Sequence, residues 1–319
     1  MAAEARTETT SVPRRRFAGL IPRLQYYRPL RWPWEVVLLA LALWVYNMIR
    51  NAAPEKVGVA MGHARDVESL QDRLHLSFER SLNHFVAAHE PVAQTMDYYY
   101  ATLHFIITLA VLVWLFRSHP RRYAGARTAL FVASMVALLG FWLYPLAPPR
   151  LAQMGYVDTL KVFHTWGSFG TPEVADHSNQ YAAMPSLHTA WALWCGLCLA
   201  VCARRAWVRV LGALYPVATV VVIVGTANHF VLDAVVGAAV LGCGFAVQYL
   251  LSGRAALREA PLRPDNQVPE VGPDADELSV DLEIPDFVER GEPAPSLMTE
   301  SSVTESSEAE SLETEVSPS

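Results

Sequence analysis

The sequence predicts an all-α polytopic membrane protein, a bundle of six transmembrane helices with interfacial helices and a disordered C-terminal tail. Three observations predict it. Apolar residues make up 52% of the 319 and gather in runs of about 20, the length a helix needs to cross a bilayer. The charges lie between those runs, with arginine clusters on alternate connections, the pattern of cytoplasmic loops. The composition then changes abruptly near Leu251. From there on the chain carries 17 acidic and 4 basic residues, so the overall charge of −6 hides a remainder of about +7. Those arginines flank apolar spans and read as topology signals. Nucleic acid is therefore not an expected partner, while membrane lipids are.

Taken in order, residues 1–31 form an Arg-rich cytoplasmic segment (Arg14, Arg15, Arg16, Arg23, Arg28, Arg31). The first apolar run starts only near Trp34, too late for a cleaved signal peptide, so the first span is expected over 34–50. Residues 51–96 are too polar to span. Val67, Leu70, Leu74, Phe78, Leu82 and Phe85 recur at three- and four-residue steps opposite Asp66, Arg73, Glu79 and Arg80. That spacing predicts an amphipathic helix at the interface or against the bundle, with substrate capture as the less favoured role. The second span is expected over 98–116. It carries His104, which at membrane depth reads either as functional or as a neutral histidine bonded to a neighbouring helix. Arg117, Arg121, Arg122 and Arg127 place the next loop inside. The third span, 125–145, ends at Tyr144-Pro145-Leu146-Ala147-Pro148-Pro149-Arg150, where prolines stop the helix.

Residues 151–184 are expected as an outer loop with an amphipathic stretch around Leu160 to Trp166. The fourth span runs from Pro185 or Ser186 to Cys202, the fifth over 208–226 and the sixth from Asn228 to Leu251. Arg204, Arg205 and Arg209 keep the intervening loop inside. Residues 252–319, rich in Glu, Asp, Ser and Pro, cannot bury enough apolar surface to order themselves. The expected organisation is thus 1–31, a membrane domain over 32–251, and a tail over 252–319, in a multi-pass protein of the cell membrane with both termini cytoplasmic. All four cysteines lie in apolar spans. Cys195 and Cys198 form a CxxC pair, better read as small buried residues than as a redox or metal site.

With this topology Arg150, His188, His229 and Asp233 share the extracytoplasmic side. His229 and Asp233 stand four apart, so on a helix they share a face. The carboxylate then fixes the histidine tautomer and leaves the other ring nitrogen as a nucleophile. His188 suits a general acid. Ser186, at a helix start, and Arg150, with its bidentate fork, suit phosphate oxygens. Together these are the parts of phosphoryl transfer through a phosphohistidine.

Pro185-Ser186-Leu187-His188 and His229-Phe230-Val231-Leu232-Asp233 resemble the second and third motifs of the type 2 phosphatidic acid phosphatase superfamily. Tyr144 to Arg150 and the HFxxD form look most like the inositol phosphorylceramide synthase branch and its bacterial inositolphosphotransferase-like relatives. The resemblance covers about residues 35–250. It implies a six-helix bundle, no metal requirement, no cofactor, and lipid phosphate esters as substrates. It makes His229 the nucleophile, Asp233 its partner and His188 the acid. The phosphatase form carries a Ser-Arg pair upstream of the nucleophile, where this chain has Val221-Val222-Ile223-Val224-Gly225. The first motif has Pro148-Pro149-Arg150 in place of the family's lysine. Both departures suit the phosphotransferase branch. Hydrolase and transferase remain open, since they differ only in whether water or an alcohol resolves the phosphohistidine. Two other readings stand beside the enzyme: a non-catalytic lipid-binding or scaffold protein, and a metal site made from the same groups.

Overall fold

The computed structural model describes residues 20, 21, 24, 26–28, 31–52, 56–76, 78–165 and 180–262. Most of the Arg-rich start, residues 166–179 of the outer loop and residues 263–319 of the acidic tail lie outside the described residues. The described residues are helical, with no strand among them. The elements in chain order are α1 (Trp32–Asn51), α2 (Val57–Arg73), α3 (Phe78–Ala87), α4 (Glu90–Tyr98), α5 (His104–Ser118), α6 (Pro120–Leu143), the single turn α7 (Thr159–Val162), α8 (Leu187–Cys202), α9 (Ala206–Gly225) and α10 (Val231–Ser252). A π-helical turn, Tyr99–Leu103, fuses α4 and α5 into one 29-residue helix, Glu90–Ser118.

Among the described residues, five helices are long and apolar enough to cross a membrane: α1, the fused α4–α5, α6, α9 and α10. That number is consistent with a multi-pass membrane protein. The fourth expected span, α8, is apolar but only 16 residues long, just short of the about 17–25 residues of a spanning helix. It lies at the centre of the bundle, with Trp194, Cys195 and Cys198 fully buried. α8 packs on α9, and α10 packs on α6 through small residues such as Ala129 and Ala133. Small side chains let helices approach closely where lipid removes the hydrophobic drive to associate.

The segment between the first two spans differs from the single amphipathic helix expected. It forms two helices, α2 and α3, broken where His75 takes a left-handed conformation (φ 59°), and its last part, α4, joins the second span. The buried face is also different. Ala60, Ala64, Val67 and Gln71 of α2 and Glu79, Asn83 and Val86 of α3 face the bundle. Leu70, Leu74, Phe78 and Phe85 stay exposed. Small and polar residues are used inward because α2 and α3 sit on loop backbone, which needs hydrogen bonds more than apolar contact.

Packing also continues beyond the expected end of the domain. Residues 252–262 are folded, with Ala256 and Ala260 buried, so the segment expected to be disordered from 252 is ordered as far as Leu262. The N–H groups of Leu20 and Ile21 donate to the carbonyls of Leu250 and Leu251 at 2.9 Å each, capping the end of α10.

The start of α8 and the first turns of α10 are clamped together. The Ser186 N–H donates to the Asp233 carbonyl at 3.0 Å. A Cβ on Gly237 would stand 2.3 Å from the Ser186 carbonyl oxygen, so only glycine permits the approach. Gly237→Ala is expected to push the two segments apart and cost about 1–3 kcal/mol. Thermal unfolding in detergent and turnover together check it; unchanged values in both would show the approach to be unnecessary.

Candidate functional site

α8 begins at Leu187 because Ser186 caps it, its Oγ accepting the Thr189 N–H at 3.4 Å. That places His188 in the first turn, facing inward. At α10 the geometry departs from the helical His229–Asp233 pair expected. His229 and Phe230 precede the helix, and Phe230 is its extended N-cap residue. Asp233, at the third helical position, turns back. One of its oxygens, Oδ2, accepts the Phe230 N–H at 2.9 Å and lies 3.3 Å from His229 Nδ1. The pairing survives because a carboxylate at that position naturally reaches back to the cap. With Nδ1 held by Asp233, Nε2 is the remaining ring nitrogen.

The His188 and His229 rings stand 5.6 Å apart, centre to centre. Both line a cavity of about 300 Å³, together with Arg150, Asn228, Tyr100 and His104. Tyr100 stacks on His188 at 4.3 Å, and His104 lies 4.1 Å from it on another side. The π-helical turn brings both residues to this wall, four positions apart at the seam of α4 and α5. Such turns recur at functional sites. Arg150 is buried and oriented: Nε donates to Asn228 Oδ1 at 3.0 Å and Nη1 to Asp158 Oδ2 at 3.2 Å. Its own N–H donates to the Ala227 carbonyl at 2.9 Å.

Of the residues singled out in the sequence, His188, His229 and Arg150 line one cavity and Asp233 stands directly behind His229. Ser186 is fully buried and its hydroxyl serves the helix cap; it is not among the cavity-lining residues. Val222, Ile223 and Val224, where the phosphatase form has its arginine, are buried. Among the described residues no group of three or more His, Cys, Asp and Glu is placed to hold a metal ion.

Several functional positions escaped the sequence. Asn228 and Asp158 aim Arg150. Glu79 Oε1 accepts the Val231 N–H at 2.8 Å and Gln71 Oε1 accepts the Leu232 N–H at 3.0 Å, so α2 and α3 cap the helix that follows His229. Asn83 exchanges bonds with Val157, at 2.7 and 3.1 Å, and donates to the Gly225 carbonyl at 3.0 Å. It thus ties the loop bearing Asp158 to the loop bearing Asn228. Apart from Arg150 and Asp158, which stand 8 positions apart, these pairs have no local signal, since the partners lie 74 to 161 positions apart.

Burial pushes the Glu79 carboxyl up from 4.5 to about 7, against the lowering effect of its bonds to Val231 and Gln71. The folded chain therefore holds this proton more tightly than the unfolded chain between those values. Glu79's contribution to stability is fully present below about pH 4.5 and is lost as pH rises toward about 7. Glu79→Gln keeps an oxygen for the Val231 N–H and removes the ionisation. Relative to wild type, its stability is expected to gain up to about 3 kcal/mol between about pH 5 and about pH 8. Paired thermal melts across that range check it; a pH-independent difference would contradict it.

Fold and cavity together define a class, an apolar multi-helix protein with paired histidines and a buried arginine around one pocket. Residues 65–247 match the family model of the PAP2 superfamily, and the chain belongs to that superfamily. No curated protein and no solved structure matches it. Membership suggests phosphatase-type activity on phosphate esters.

Proposed function

We propose that the protein is a membrane enzyme that cleaves lipid phosphate esters through a phosphohistidine on His229. The observation that carries this reading is the His229–Asp233 pair with His188 across the same cavity, 5.6 Å between rings. His229 Nε2 attacks phosphorus, its Nδ1–H held by Asp233. The P–O bond to the lipid breaks, and His188 gives its proton to the departing alkoxide. His188, now neutral, takes a proton from water or an alcohol as that oxygen attacks the phosphohistidine. Arg150, aimed by Asn228 and Asp158, balances charge on the phosphoryl oxygens. Ser186 acts as the cap that sets His188 in place.

Within the superfamily, the chain fits the inositolphosphotransferase-like branch best. Pro148-Pro149-Arg150 and the apolar Val221–Gly225 stretch support this, because Arg150 then stands as the main cation of the site. Purified protein offered phosphatidic acid, other phospholipids and a diacylglycerol or ceramide acceptor tests both levels. Release of phosphate or transfer of a phospho-head group supports the reading. Neither product from any substrate, with the protein folded, would favour a lipid-binding scaffold instead.

The membrane domain runs over 32–251, with 252–262 packed against it, and makes six crossings, α8 completed by the residues before it. Both termini are cytoplasmic and the histidine cavity faces outward, in the cell membrane. In a Cys243→Ser background, a cysteine at His75 is expected to react with an impermeant reagent from outside, and one at Ala206 is not. The opposite pattern would invert this topology.

A further inference from the structure

The histidine cavity does not end at its polar wall. It shares Tyr46, Phe105 and Trp191 with a second cavity of about 490 Å³. This second space is a groove between α1, α5 and α6, lined by aliphatic residues that include Leu38, Leu41, Ala42, Leu109 and Leu112. Besides the Tyr46 phenol at its end near the histidines, its hydroxyls belong to Ser134 and Thr108, and both are bonded within the bundle. Ser134 Oγ donates to the Leu130 carbonyl at 3.0 Å and accepts from Trp191 Nε1 at 3.1 Å. Thr108 Oγ1 lies 3.6 Å from Cys195 Sγ.

The groove exists because α1 is fastened to α6 near both ends. At one end Glu35 pairs with Arg127 and accepts the Tyr123 hydroxyl at 3.1 Å. At the other, Trp142 Nε1 donates to the Ile49 carbonyl at 3.1 Å. Between these ties the helix stands off α5. From Tyr46 to Leu38 the groove follows about 12 Å of helix, and from Phe105 to Leu112 about 10 Å. That is most of the about 15 Å from a membrane surface to its midplane. Its volume lies within the about 300–1,000 Å³ of small-molecule sites.

We propose that this groove binds the hydrocarbon chain of the phosphate ester whose head lies in the histidine cavity; the inference rests on the phosphate-ester reading of that cavity. Adjacency identifies the occupant. Tyr46, Phe105 and Trp191 line both spaces at the end next to the catalytic groups, and the other end follows apolar residues of α1 and α5. A single amphiphile with a phosphate head and a long alkyl chain fills both spaces, and a soluble phosphate leaves the groove unused. One wall, α1, lies outside residues 65–247, the part that matches the family model, and the other walls lie inside it.

The test uses the purified full chain and a hexadecyl phosphonate bearing a mid-chain diazirine, which binds without being hydrolysed. Photolysis and peptide mapping are expected to place adducts on α1 and α5, at Leu41, Ala42 and Leu109. An excess of plain hexadecyl phosphonate is expected to remove them. Ala42→Trp is expected to cut labelling by about tenfold or more, the equivalent of withdrawing two methylenes from an apolar site; Leu109→Trp, on the opposite wall, gives the same reading if the first variant does not fold. Adducts confined to helices other than α1, α5 and α6, or equal labelling by the neutral hexadecanol analogue, would overturn the proposal. Phosphate release from hexadecyl phosphate is measured on the same preparation. Release with adducts elsewhere overturns the groove alone. Groove adducts without release support the groove and overturn the hydrolytic reading of the cavity.

Discussion

His229→Ala is expected to abolish turnover of every phosphate ester, whereas His188→Ala is expected to discriminate between leaving groups. The first variant removes the atom that bonds to phosphorus. The second removes only the proton carrier, whose contribution to such a step is about 10²–10⁴-fold. A lipid alkoxide needs that proton, so its cleavage is expected to fall by about that factor. An aryl phosphate leaves without one, so His188→Ala is expected to give a burst of phenol equal to the enzyme present and then to slow, because water still needs a base. Stopped-flow release of a nitrophenol reads this directly. Equal loss of the burst in both variants would contradict the division of roles. Tyr100 and His104 flank His188 at 4.3 and 4.1 Å, so the variant empties a pocket enclosed by rings. Thermal melts therefore accompany the kinetics.

The second large effect is expected at Asp233. A single oxygen, Oδ2, serves both the Phe230 N–H and His229 Nδ1. Asparagine can present its one carbonyl oxygen there, so Asp233→Asn preserves the cap and removes the charge. It is expected to keep the fold and to lose about 10²–10⁴-fold in kcat, since the imidazolium formed in the attack loses its counterion. Loss of an analogous orienting carboxylate costs about 10⁴-fold in a serine protease. Activity within about tenfold of wild type, with an unchanged melting temperature, would reduce Asp233 to a helix cap.

The helices were legible because apolar runs and arginine clusters are local signals. Trp32–Asn51, Pro120–Leu143 and Ala206–Gly225 lie within a few residues of the expected spans. The sequence expects two crossings between His188 and His229 and so a shared side; the structure puts both rings on one cavity, although α8 is short of a full span. Other features depend on contacts that no window of sequence contains. Asn228 looks like an ordinary polar residue until Arg150 arrives 78 positions away. Glu79 reads as the solvent side of an amphipathic helix, yet it points inward at the backbone of Val231, as Asn83 does at Gly225. The heptad-like row of Leu70, Leu74 and Phe78 correctly announced helix but not which face is buried. The π-helical turn at Tyr99–Leu103 has no proline or glycine to mark it, and without it His104 was ambiguous. His229 lies outside the helix because the chain turns at Ala227, which takes a left-handed conformation (φ 54°), and no residue there announces that turn.

The most direct test of the account is to find the phosphoryl group on the protein. The His188→Ala variant is mixed with an aryl phosphate, quenched in alkali, where phosphohistidine survives, and digested for mass spectrometry. The account expects one phosphorylated residue, His229, at close to one group per chain, and none when His229 is also replaced. Phosphate on any other residue, or turnover in the wild type with no phosphoprotein formed at all, would contradict it.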